Sequence, residues 1–283
     1  MIRTVAIPVV ALMAAATPAP SQTWRTLDAA GTTTDTGPVS VRIEYTRGEL
    51  QARPIERGGL LYDLHLRYDA ARARPLLTFD TIGRSLAIGA QARPDTRART
   101  EGRGSGDAVL QLGRGAPLNV AVRLDVATAN LDLGGLSLRS LAVHASASEA
   151  RVRFDTANGA RMETLDLDIS AATLTASGLA NARAARVRVA ARAGNAELDL
   201  GGQWERDMEL EIDITLATVT VYVPADVGIE LETTRRMLAT VNAGGLRRSG
   251  DMYVSANSTT APRKLRVRAG ATLGKLTVIH GSR

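Results

Sequence analysis

The chain has 283 residues, a net charge of +6, 45% hydrophobic and only 3% aromatic residues, and no cysteine. This apolar content excludes a disordered chain, and the absence of thiols excludes disulfides, a cysteine nucleophile, a thiolate metal site and a lipoprotein anchor. Only Lys264 and Lys275 are lysines, the other basic residues being Arg without interleaved aromatics, which speaks against a nucleic-acid platform.

Residues 1–20 open with Arg3 and an apolar run, then Ala14-x-Ala16 before a Pro-rich stretch. This layout is that of a signal peptide, so the mature chain is expected outside the cytoplasm, in the periplasm or secreted. Residues 21–36 read as a flexible approach. A small antiparallel β module is expected over 37–94. Val39, Val41, Ile43 and Tyr45 alternate with polar residues, Arg47 and Gly48 supply a turn, and Leu60, Tyr62, Leu64 and Leu66 mark a second strand. Two further strands are expected at 76–80 and 85–88. Residues 95–115 begin with an Arg-, Gly- and Thr-rich string and read as a linker.

The remainder, 116–283, carries a repeated strand phrase. Taking Leu131, Val152, Leu174, Leu198 and Val219 as equivalent gives a spacing of roughly 21 to 24 residues, in the range of stacked repeats. Such units bury their apolar edges by stacking on their neighbours. Alternation places Val120, Val122, Leu124 and Val126 on one side, and likewise Leu165, Leu167 and Ile169, Val187 and Val189, and Leu210, Ile212 and Ile214. Asp166 and Asp168, Arg186 and Arg188, and Glu209, Glu211 and Asp213 fall on the opposite face. After Pro224 the pattern loosens and closes with two short strands at 265–267 and 276–279, as a capping repeat would.

The phrases DLGGLSLRSLAVHASASEARVRF (132–154), NAELDLGG (195–202) and VYVPADVGIELE (221–232) resemble the toast-rack β-solenoid of LiaF-like and cell wall-active antibiotics response proteins. VRIEYTRGEL, LLYDLHLRYD, RPLLTFD and SLAI are similar to the small domain that precedes such solenoids. The resemblance implies an all-β fold: a single-stranded right-handed β-solenoid behind the small antiparallel module. It also implies a non-enzymatic envelope protein linked to stress sensing or surface adhesion. LiaF-type regulators carry a block of membrane helices that this sequence lacks, so the resemblance gives no ground for direct control of a sensor kinase.

The chemistry-bearing residues are few. His65, His144 and His280 stand in separate elements without metal-ligand spacing. Asp166/Asp168 and Glu209/Glu211/Asp213 are the best carboxylate pairs for a glycosidase, yet i, i+2 acids on a strand are what alternation produces. Neither a nucleophile elbow nor a phosphate loop is found. No cofactor is expected. Arg186, Arg188 and Trp204 stand out as surface contacts, with a corner plug as the plainer reading of Trp204. Three functions are compatible: a binding or scaffold body contacting envelope proteins or anionic envelope polymers, a polysaccharide-acting β-helix enzyme, and an Arg-mediated binder of anionic lipids. The first is the main expectation. It leaves room for peripheral membrane contact and self-association, and has no place for nucleic acid.

Overall fold

The computed structural model describes residues 23–33, 36–56, 58–93 and 106–281, excepting the side chains of 235–238. The expected signal peptide and residues 95–105 of the expected linker therefore lie outside the described residues. Among the described residues, no helix is long and apolar enough to cross a membrane.

The chain is all-β. Seven strands come first: β1 (Trp24–Gly31), β2 (Val39–Pro54), β3 (Tyr62–Asp69), β4 (Ala73–Asp80), β5 (Ser85–Ala92), β6 (Gly106–Leu112) and β7 (Leu118–Asp132). There follow β8 (Leu138–Ser146), β9 (Glu149–Arg153), β10 (Met162–Ser177), β11 (Ala184–Asp199) and β12 (Met208–Val223), then β13 (Val227–Gly244), β14 (Arg247–Ser249), β15 (Met252–Val254) and β16 (Arg263–His280). The long strands are parallel rungs in the order β2, β7, β8 with β9, β10, β11, β12, β16, β13.

Each rung is a strand bent in two. A straight 16-residue strand such as β12 would span about 50 Å. The connection from Val223 to Val227 reaches at most about 15 Å, at 3.8 Å per Cα step. Strand ends must therefore return to strand starts, and His280 at the end of β16 does meet the Val227 carbonyl at the start of β13, at 3.0 Å. Alternation changes phase at the bend. In β12, Leu210, Ile212 and Ile214 are buried, Thr215 and Leu216 are both exposed, and Ala217, Val219 and Val221 are buried again. The extra outward residue lets both halves turn their apolar sides inward, so each rung contributes to two facing walls around one core. Glycine serves the bend where rungs crowd: a Cβ on Gly194 would lie 2.0 Å from the Ala172 carbonyl oxygen.

Several expectations change. Val126 is half exposed, because it sits on the bend rather than in the core row. The repeat columns run Leu131, Val152, Ala176, Leu198 and Val221, so Leu174 and Val219 are each displaced by two residues and remain on the correct face. β2 continues through Arg47 and Gly48 as one bent strand and pairs in parallel with β7, so the segment expected as a separate antiparallel module contributes a full rung. Among the described residues, the antiparallel pairings there are β1 with β3, β3 with β6 and β4 with β5. Residues 106–112, expected within the linker, form β6, which pairs with β2 and β3. The two short C-terminal strands are one 18-residue rung, β16, inserted between β12 and β13.

Candidate binding face

In-register parallel pairing sets equivalent residues about 4.8 Å apart, so any charge pattern shared by the rungs becomes a column. The outer face of the first wall carries two. One runs Arg186, Glu209, Arg266, Glu230; the other runs Asp166, Arg188, Glu211, Arg268, Glu232. Sign alternates at every step in both. Arg188 Nε donates to Glu211 Oε2 at 2.8 Å, and Arg186 Nη2 donates to Glu209 Oε2 at 3.3 Å and lies with Nε 3.9 Å from Glu211 Oε1. Arg266 approaches Glu230 at 3.7 Å and Arg268 approaches Glu232 at 3.8 Å. The hydrogen bond from Arg188, with the charges of Arg188, Arg186 and Arg268, holds the Glu211 carboxyl below its usual range against the opposing effect of burial.

This alternation depends on chain topology. Rungs stacked in sequence order would bring β12 against β13, setting Glu209 and Glu211 beside Glu230 and Glu232. Like charges directly opposite each other destabilise a sheet. Inserting β16, with Arg266 and Arg268, between the two acidic strands replaces that repulsion with attraction on both sides. The E-x-E in GIELETT and the R-x-R in KLRVRAG were the available signal.

Midway along the same face, Arg123, His144 and Asp168 are successive members of one column. Asp168 accepts from Arg192 Nη1 at 2.7 Å and lies 3.5 Å from His144 Nδ1. With Asp125, Ser146 and Ser170 they line a dent of 260 Å³. Towards the C-terminal end Glu211, Asp213, Glu232, Thr234 and Arg268 line a wider concavity of 620 Å³, open because Gly270 follows Asp213 in its column. Towards the N-terminal end a third, of 600 Å³, has a floor of Ala87, Ala121 and Ala142 beside Ser40, Asn119 and Ser140.

Arg186 and Arg188 thus belong to the ladder and are engaged by it. Trp204 is elsewhere: it is half-buried, packs against the core, and its Nε1 donates to the Leu200 carbonyl at 2.8 Å. That is the corner plug. Asp166 and Asp168 project from one strand, and Asp168 is held by Arg192. The three histidines do not converge: His65 pairs with Asp28 at 2.5 Å, His144 with Asp168, and His280 with the Val227 carbonyl. Among the described residues no group of three or more His, Asp or Glu could hold a metal ion.

The fold and this face define an all-β chain with a charged, periodic surface. No protein family matches it by sequence, and no curated protein is detectably similar. Solved structures do share its outline. One is of a candidate cell adhesion protein from Clostridium sporogenes, 12% identical over 90% of this chain and 99% of that one, with a TM-score of 0.45. A candidate adhesin from Bacteroides fragilis is 9% identical over 92% and 99% of the two chains, with a TM-score of 0.46. A candidate adhesin from Parabacteroides distasonis is 7% identical over 90% and 97%, with a TM-score of 0.42. With scores below 0.5, these likenesses carry no functional argument.

Proposed function

We propose that the chain is an exported, non-catalytic binding or scaffold protein of the cell envelope, a single-stranded right-handed β-solenoid of the toast-rack kind. The signal-peptide layout of residues 1–20 supports export. The carrying observation is the charge ladder. Glu209, Glu211, Glu230 and Glu232 are each held by an arginine one rung away, and the Glu211 carboxyl is kept below its usual range. A general acid requires the reverse, a carboxyl kept protonated near neutral pH. What remains is a rigid face with alternating charge at strand spacing, suited to an extended envelope protein or anionic polymer that can meet several rungs together. Arg186 and Arg188, and the dents beside them, would be contacts on that face.

The test is capture from the envelope fraction on immobilised protein at low and high salt. A protein or glycan retained by the wild type and lost on charge reversal at Arg186 and Arg188 supports the reading. Capture of lipid alone, released by salt, would replace it with simple adsorption to an anionic surface. Turnover of an envelope glycan that Asp168→Asn abolishes would replace it with an enzyme.

A further inference from the structure

The two walls end at different heights. At the C-terminal end the first wall continues past β13 by two strands, β15 and then β14. Among the described residues, the second wall stops at β13, over residues 239–244. In the completed rungs, backbone N–H groups of inward-facing residues point towards this end. Leu133 donates to Arg153, Phe154 to Ser177 and Leu200 to Tyr222, each in the next rung. The same parity aims the N–H and C=O groups of Ala239, Val241 and Ala243 out of the stack. Among the described residues, the one bond shown for these outward groups is the turn contact from Leu246 N–H to the Ala243 carbonyl. These three side chains are only half-buried, whereas their counterparts in β12, Ala217, Val219 and Val221, are buried. An open strand edge over a bare end of core is a ready template for pairing.

We propose that this end binds a second copy of the chain, two molecules interlocking about a two-fold axis that runs along the strands. Rotation about that axis exchanges the walls and reverses the stack. The β14–β15 hairpin of each copy then meets the recess of the other. The hairpin stands two strands, roughly 10 Å, above β13 in the first wall, and the recess is two strands deep in the second. Both walls of the pair therefore close with the same number of strands between the two copies of β13. Direction also fits. β14 runs with the first half of β13, and the chain reverses at the bend, so β14 meets the partner's open edge antiparallel. The contact is isologous and closes at two copies, which removes the open edge instead of propagating it.

The hairpin carries Arg247 and Arg248, and the open edge carries the outward Thr240 and Asn242, both exposed. Charge placed on that edge is therefore read by the partner. The experiment is sedimentation of the full chain, as the cell produces it, across a micromolar concentration series. Three forms are compared: wild type, Thr240→Lys with Asn242→Lys, and Thr240→Asp with Asn242→Asp. Wild type should be a dimer at the upper end of the series. The lysine pair should weaken it by on the order of ten-fold or more, and the aspartate pair should retain or tighten it. Hydrogen exchange at the amides of Ala239, Val241 and Ala243 in wild type gives a reading that needs no variant, with protection rising as concentration rises. A wild type monomeric throughout would overturn the proposal, whether the edge stays open or a segment of the same chain covers it. Equal dimerisation of the lysine and aspartate forms, or exchange independent of concentration, would overturn it too.

Discussion

Replacing Asn158 by Ala should be among the most damaging single changes in this protein. Asn158 is buried where one rung passes to the next, and its side chain does the work of a missing strand. Its Oδ1 accepts from the Leu138 N–H at 2.8 Å, and its Nδ2 donates to the Leu138 carbonyl at 2.7 Å and the Ala160 carbonyl at 2.9 Å. Alanine leaves both polar groups of the fully buried Leu138 without partners. A buried group orphaned in this way costs about 1–3 kcal/mol, so two of them, plus the lost contact to Ala160, come to about 4 kcal/mol. For a chain of this size that is a fall in Tm of about 8–16 °C, at about 2–4 °C per kcal/mol. The assay is urea and thermal unfolding followed by far-ultraviolet circular dichroism. Asn158→Asp keeps the acceptor, loses both donations and buries a charge, so it should be no milder than alanine. Gln203→Ala, exposed at a corner between rungs, is the control, expected within about 0.5 kcal/mol of wild type. A loss below about 1 kcal/mol for Asn158→Ala would show that water or a shifted backbone satisfies Leu138, and the reasoning would fail.

Three further outcomes follow from the face and the core. Glu211 has its folded pKa held below the ordinary 4.5, so its contribution is present above that value and fades as pH falls through the lower, folded value. Glu211→Gln should be the less stable form at pH 7, and its deficit should shrink in acid unfolding curves taken below pH 4.5. Exchanging partners in Arg188→Glu with Glu211→Arg leaves both residues beside neighbours of their own sign, since Arg188 also faces Asp166 and Glu211 also faces Arg268. The double variant should therefore fall short of wild-type stability, and full recovery in a double-mutant cycle would mean that the ladder acts only as isolated pairs. Trp204→Phe removes the bond to the Leu200 carbonyl and should cost about 1 kcal/mol in unfolding, with capture of envelope partners unchanged. Lost capture at unchanged stability would return Trp204 to the binding surface.

Much of the fold is visible in the residues because it depends on local alternation. Leu210, Ile212 and Ile214 face inward, and Glu209, Glu211 and Asp213 outward, as period two requires. What was misread lies at the bends and at the ends. Val126 has the parity and the chemistry of a core residue, and only the extra residue at the bend turns it out. Leu174 and Val219 lie two residues from the column of Leu131, and because several aliphatic positions within a rung are alike, spacing alone does not fix the column. Of the candidate face, the charged residues between 166 and 213 were identified, but Glu230, Glu232, Arg266 and Arg268 were not connected to them.

The sequence by itself determined that the chain is all-β, which side of each strand is buried, and which residues are charged on the other side. These follow from interactions between residues two apart. Tertiary structure alone decided the order of the rungs, because that order is set between strands distant in the chain. β16 enters between β12 and β13, and β2 lies between β7 and the β5 and β6 segments. At the C-terminal end that order has an electrostatic consequence. Two acidic strands consecutive in sequence are separated by an arginine-bearing one that arrives last, and that separation turns charges scattered along the chain into a continuous ladder.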